Sequence, residues 1–302
     1  MRRLALLSLA LLSVPAAWAA VLPVGVAVQV SPATKGEWTA DTRSTWRDDD
    51  GQPRVQFNLR TSDGDSRWGF GVRLRDLAGL PASAIANLAD NVQFSWTREA
   101  GAFLFTGSFN QGRGSGTYTF TQDQTFVSNM ATAGYRNLTA DDIVRLAVID
   151  VTLAHVRGLA QAGYAALALD DLVRTRIHRV TPEFITALAA RGYRSIPVED
   201  LVKMRIHNVT TPEIDDLKAL GFGGMSIDDL IKFRIHRVTP EFIKSMKDTG
   251  FVMISEDQLV RLRIHNVDAQ FIRDARADGF AVQTPGDAVD LAIHGPRRRR
   301  GL

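Results

Sequence analysis

The residues of this chain best suited to chemistry are arginines and histidines that recur together every 29 residues. Guanidinium groups bind carboxylates and phosphates, and imidazole changes charge near neutral pH. The column therefore predicts a cationic, pH-sensitive stripe that binds an anionic ligand, such as an acidic peptide or a surface polymer. In a second interpretation Arg-Ile-His ends a helix, where the cations and ring nitrogens bond the last free carbonyls. The column consists of Arg176 and His178, Arg205 and His207, Arg234 and His236, and Arg263 and His265, with a fifth histidine at His294.

The sequence offers little for metal binding or catalysis. Neighbouring helices pack about 8–10 Å apart, so histidines one repeat apart are too distant to share a zinc ion with bonds of about 2 Å. The chain has no cysteine, and it contains no His-Glu-x-x-His helix, Gly-x-Ser-x-Gly elbow or phosphate-binding Walker loop. We therefore predict no catalytic residue, no cofactor and no metal. The alternative is an envelope hydrolase or lyase that uses histidines and aspartates of the repeats on an acidic polymer.

The elements that must position this column are short helices in an array. Each 29-residue unit carries two helix signals, of which the clearer is Thr181-Pro-Glu-Phe-Ile185 with Gly192 as its end. Helices of about ten residues do not fold alone, so the units must stack into an α-solenoid of helical hairpins. The repeat is marked by an aromatic residue after a glycine in every unit, namely Tyr135, Tyr164, Tyr193, Phe222, Phe251 and Phe280.

Apolar and charged positions follow the same period. We predict that the core contains Phe184, Ile185 and Leu188 of one helix, with Leu172, Val173 and Ile177 of the other and their counterparts Leu201, Val202, Ile206, Leu230, Ile231 and Ile235. An acid four residues before a base predicts ion pairs within each helix. These pairs are Asp141 with Arg145, Asp170 with Arg174, Glu199 with Lys203, Asp228 with Lys232, and Asp257 with Arg261.

Before the helices, residues 37–121 alternate apolar and polar side chains with a period of two, which predicts five or six strands of an antiparallel β-meander. Asp48 to Gly51 and Ser62 to Asp65 are typical of hairpin turns. The segment from Leu77 to Ala89 predicts a crossing loop or a short helix. Gly112 to Gly116 lies between two strands, so it predicts a hairpin and not a phosphate-binding loop. The predicted fold class is therefore α+β.

The two ends of the chain carry much of its positive charge. Residues 1–19 are typical of a cleaved signal peptide, residues 20–36 of a lead-in, and residues 296–302 of a basic disordered tail. Removing Arg2, Arg3 and the four tail arginines from the 36 Lys and Arg residues leaves 30 against 33 acidic residues, which argues against nucleic acid as a partner. We expect a periplasmic or secreted protein without a stable membrane span after cleavage. The tail is expected to make weak contact with anionic surfaces through Arg297, Arg298, Arg299 and Arg300.

The repeat unit resembles repeats of uncharacterised bacterial exported proteins and of extracytoplasmic extensions of regulatory membrane metallopeptidases of the β-lactam-sensor type. The resemblance lies in Arg-Ile-His-x-Val-Thr-Pro-Glu-Phe-Ile and the later Asp-Asp-Leu-Val, while residues 103–120 resemble the β module that precedes such repeats. The peptidase part has no counterpart here. With residues 122–295 as the repeat array, we expect a non-enzymatic binding, sensing or scaffold protein whose partner is a protein or an anionic polymer of the cell envelope.

Overall fold

The protein belongs to the α+β class, with an antiparallel sheet followed by helices. The computed structural model describes residues 33–42, 54–62 and 66–295. The predicted signal peptide, the turn at Asp48, most of the turn at Ser62 and the arginine-rich tail lie outside these residues. The first strand begins at Ala33, so it includes four residues that the sequence assigned to the lead-in.

The sheet has six strands, and consecutive strands pair except for β3 and β4. The first strand instead pairs with the last, in a register that places Trp38 opposite Gly116. The order is therefore β3-β2-β1-β6-β5-β4, in which two three-stranded meanders share the β1–β6 ladder. The strands are β1 Ala33–Asp41, β2 Arg54–Thr61, β3 Arg67–Arg73, β4 Ala89–Arg98, β5 Gly101–Asn110 and β6 Arg113–Gln122.

Aromatic side chains on one face of this sheet form its core. Trp38 contacts Phe94 and Phe105 with ring centroids 5.4 and 6.0 Å apart. Phe70 of β3 stacks on Trp96 of β4 at 4.9 Å, although these two strands are opposite edges of the sheet. The sheet is thus strongly curled, and burial of these large rings is its main source of stability.

The segment between β3 and β4 covers the open side of the curled sheet. It forms a 3₁₀ turn, Leu74–Asp76, and a short helix, α1 Ala82–Ala86. The helix lies within the segment for which the sequence predicted a crossing loop or a short helix. Leu77, Leu80 and Ile85 are buried. These side chains add aliphatic surface to the aromatic core.

Twelve helices follow in the part of the chain that the structure describes. Most begin at a residue whose side chain accepts a hydrogen bond from the third helical residue, as Thr181 does from the Phe184 N–H at 3.2 Å. In the helix that begins at Thr211, proline is the second helical residue and not the first. Thr210 still caps this helix with its side chain, and Pro212 is tolerated inside the first turn. The helices are α2 Gln124–Thr132, α3 Ala140–Ile149, α4 Leu153–Gln161, α5 Leu169–Ile177, α6 Pro182–Ala189, α7 Val198–Ile206, α8 Thr211–Ala219, α9 Ile227–Ile235, α10 Pro240–Asp248, α11 Glu256–Ile264, α12 Ala269–Ala277 and α13 Pro285–His294.

These helices pack in two rows, because each contacts the second helix after it along the chain. One row contains α3, α5, α7, α9, α11 and α13, and the other contains the even-numbered helices from α2 to α12. At the start of the array, α3 packs on the sheet, and Asp141 accepts a hydrogen bond from Ser66. Buried side chains form one continuous core from the sheet to α13.

One part of the predicted core is wrong. Ile177, Ile206 and Ile235 are 51%, 55% and 53% exposed. Each is the last residue of its helix, and the chain turns away directly afterwards, so no following element covers the side chain. The other positions in the prediction are buried, apart from Phe184, which is partly buried against the core.

No described helix is both long and apolar enough to cross a membrane.

Candidate interaction surface

The Arg-Ile-His segments lie where the odd-numbered helices end. In α5, α7, α9 and α11 the isoleucine is the last helical residue and the histidine is the C-cap. The next residue has a left-handed backbone, with φ near 55° at Arg179, Asn208, Arg237 and Asn266. The buried valine that follows donates its N–H to the carbonyl five residues earlier, as in Val180 to Thr175 at 2.8 Å. This is the usual closed end of a helix, and it holds every Arg-Ile-His in the same geometry.

Three of the four arginines in the column donate to backbone carbonyls of the preceding odd-numbered helix end. Arg176 Nε donates to the Asp150 carbonyl at 2.7 Å, Arg234 Nε to that of His207 at 3.2 Å, and Arg263 Nε to that of Arg237 at 2.8 Å. These three side chains therefore bond inside the protein, at an earlier helix end and not at the end of their own helix. The capped carbonyl belongs to the previous repeat, so each arginine also ties two repeats together.

The guanidinium groups of Arg205, Arg234 and Arg263 also contact the even-numbered helix that precedes them. Arg205 lies 5.0 Å above the Phe184 ring, and Arg263 lies 4.3 Å above the Phe242 ring. At the equivalent position Glu213 accepts a hydrogen bond from Arg234 Nη1 at 3.1 Å. Arg205 differs from the rest because its Nε is buried without a hydrogen-bond partner among the described residues.

The histidines do not converge on one another or on acids. His178, His207, His236 and His265 are partly buried, one at each helix end, and His294 is exposed in the last turn of α13. Within residues 33–42, 54–62 and 66–295, no group of three histidine, aspartate or glutamate side chains could hold a metal ion. The repeated histidines are therefore separate side chains beside the isoleucines and form no joint centre.

The surface that repeats most regularly is apolar, and sequence reasoning missed it. Exposure is 51% at Ile177, 55% at Ile206, 53% at Ile235, 51% at Ile264 and 48% at Ile293. We call these five residues the isoleucine column. Adjacent members lie on helices in direct contact, so they form a continuous row. For four of the five members, the sequence signal was an isoleucine between an arginine and a histidine at a predicted helix end.

The ion pairs of the odd-numbered helices differ from those that the sequence predicted. Of the predicted pairs within a helix, Glu199 and Lys203 are joined at 3.1 Å. Arg145 instead bonds Asp170 of the next repeat at 2.6 Å. Lys232 contacts Asp229 at 3.0 Å and Asp257 of the next repeat at 3.7 Å. These cations point along the row of helices because neighbouring helices offer acids at similar distance.

A separate polar cluster joins the sheet to the first repeats. Asp150, the left-handed C-cap of α3, is 2.6 Å from Arg176 and 3.4 Å from Arg98. Nearby, His155 Nε2 lies 3.0 Å from the buried Thr175 hydroxyl. Burial, and then the Arg176 charge, lower the pKa of His155. Thr175 is 1% exposed and donates to the Leu172 carbonyl, so its hydroxyl is closed to solvent.

No known family model and no curated protein matches this chain.

Proposed function

We propose that this chain is an exported, non-enzymatic binding or scaffold protein whose helices form an α-solenoid of 29-residue hairpins. The sheet spans residues 33–122, and the repeat array follows it as far as residue 295. A resemblance to repeats in bacterial envelope proteins supports a periplasmic or secreted location and a partner in the cell envelope.

The isoleucine column carries this proposal. Single exposed apolar residues are ordinary on a protein surface, but an aligned set marks an interaction site more often. Here the same side chain is half exposed near the ends of five helices that follow one another in the odd-numbered row. A protein that used its repeats only as a spacer would gain nothing from keeping these positions apolar.

The histidines support binding rather than hydrolysis. An acid and base pair needs its members within hydrogen-bond reach of one another or of substrate. His178, His207, His236 and His265 are instead the C-caps of four different helices. We therefore propose that these histidines flank the contact surface for an anionic partner.

The arginines of the column are poor probes of this function. Because Arg176, Arg234 and Arg263 bond carbonyls inside the protein, their alanine variants would lower stability before they altered binding. The isoleucines are better probes, since their outer halves contact only solvent.

The test is capture of partners from an extract of the source cells by the full chain. Ile206 and Ile235 are changed together to serine. The matched control changes Val252 and Met253 to serine as well; these two residues are 68% and 92% exposed and belong to the same array. We expect the isoleucine variant to lose a partner that the control retains. Equal recovery by both variants would remove the column as the binding surface.

A further inference from the structure

We propose that the isoleucine column binds an acidic, extended segment of a partner polypeptide that presents an aliphatic side chain at every third residue. This inference depends on the proposed binding function and names the chemistry of its partner. It follows from the spacing of the column, the charge around it and the geometry of extended chains.

The spacing comes from helix packing. The column runs across α5, α7, α9, α11 and α13, and each of these helices packs directly on the next. Packed helices lie about 8–10 Å apart, so adjacent isoleucines are separated by a similar distance. The exposed fractions of the five side chains are nearly equal, 48% to 55%, so each offers a similar apolar area to a partner. A partner should therefore repeat its own apolar side chains at about the same interval.

The surrounding charge is positive. Four stretches hold the helix ends, the turns and the first turns of the following helices, namely residues 174–183, 203–213, 232–241 and 261–268. Together they contain ten Lys and Arg residues, against only Glu183, Glu213, Glu241 and Asp268. Some of these cations are neutralised by acids outside the four stretches, since Lys203 contacts Glu199, Lys232 contacts Asp229 and Arg176 contacts Asp150. The positive charge that remains among the described residues comes from arginines that form no ion pair there, namely Arg205, Arg237, Arg261 and Arg263. An acidic segment is therefore attracted to the edge that carries the isoleucines.

Backbone geometry selects the conformation of the segment. A polyproline II helix rises about 3.1 Å per residue with three residues per turn, so every third side chain faces the same way at intervals of about 9 Å. In a β-strand every second side chain faces the same way, at intervals of about 6.6 Å. This interval is shorter than the spacing of the isoleucines, so the side chains of a strand no longer align with the column after two repeats. The polyproline II conformation therefore matches all five isoleucines.

The experiment measures binding of fluorescent synthetic peptides to the full chain by anisotropy. The test peptide repeats Leu-Glu-Pro for about fifteen residues, long enough to span the column at about 3.1 Å per residue. One control peptide has the same composition with its leucines shuffled, and another has lysine in place of glutamate. Vesicles containing anionic lipid form a separate arm.

We expect the test peptide to bind at least about tenfold more tightly than either control peptide, because the spacing of its leucines and the negative charge of its glutamates both contribute to the affinity. Changing Ile206 and Ile235 to serine should weaken binding about tenfold, and higher salt should weaken it further. Arg237→Asn should weaken it several-fold. This variant matches Asn208 and Asn266 at equivalent left-handed positions, so its fold is expected to be unchanged.

Equal affinity for the shuffled peptide, or for the isoleucine variant, would overturn the inference. Vesicle binding that depends on the isoleucines, without peptide binding, would also overturn it and would assign the column to a lipid surface. If no peptide binds but capture from extract still depends on Ile206 and Ile235, the partner chemistry is wrong and the binding function stands. If neither assay depends on these residues, both proposals fail.

Discussion

Glu213 accepts a hydrogen bond from Arg234 at the helix position where Phe184 and Phe242 lie under arginines of the flanking repeats. Each residue is the third of its helix, after the capping threonine. The repeat thus keeps a guanidinium contact with two different chemistries, stacking on a ring or pairing with a carboxylate.

Glu213→Phe should therefore be tolerated, with an unfolding free energy within about 1 kcal/mol of the wild type, because Arg234 can stack on the new ring. Glu213→Ala removes a charged hydrogen bond and should cost about 1.5–3 kcal/mol. Urea denaturation followed by circular dichroism compares the two variants. An equal loss in both would show that stacking does not replace the ion pair.

Arg263→Lys should lower the free energy of unfolding by about 1–2 kcal/mol. Lysine cannot both donate to the Arg237 carbonyl and lie flat above Phe242, as the Arg263 guanidinium does. The control is Arg261→Lys, an exposed position two residues away, where a change under about 0.5 kcal/mol is expected. A similar effect at both positions would argue that charge alone matters.

Gly116→Ala should disrupt the sheet, with a loss of about 3 kcal/mol or more. An added Cβ would lie 2.0 Å from the Thr106 carbonyl oxygen and 2.6 Å from the Gly107 Cα, both of which are backbone atoms. Gly71→Ala is the control, since its nearest neighbour is the flexible Arg54 side chain at 3.4 Å. Thermal unfolding monitored by tryptophan fluorescence separates them, and comparable melting temperatures would contradict the close strand approach.

Acidification should destabilise the protein through His155. Burial lowers the pKa of His155 below its ordinary value of 6.5, so the unfolded chain binds the proton more readily. Stability should therefore be highest above pH 6.5 and should fall as the pH decreases through 6.5 toward the lowered value. His155→Gln retains a donor for Thr175 and cannot titrate. Denaturation at about pH 7.5 and about pH 5.5 should show a smaller loss in the variant, and equal losses would exclude His155 as the cause.

Much of the helical part could be predicted from the sequence because its signals are local. Thr181 and Thr239 begin helices where the pattern of cap, proline and apolar residues places them. The alternation in β2 likewise predicts that Val55, Phe57 and Leu59 face the core. The pairing of β1 with β6 was not predicted, since it depends on how a curled sheet brings distant strands together.

The Arg-Ile-His segment shows which information was missing. The sequence by itself determined most helix starts and most buried positions, because backbone capping and helical periodicity act over a few residues. Only the tertiary structure decided that Arg176 and Arg234 bond within the protein, because their acceptors are carbonyls 26 and 27 residues earlier. It also decided that Ile177 is exposed, since exposure depends on which neighbouring helix covers a side chain once the array has stacked.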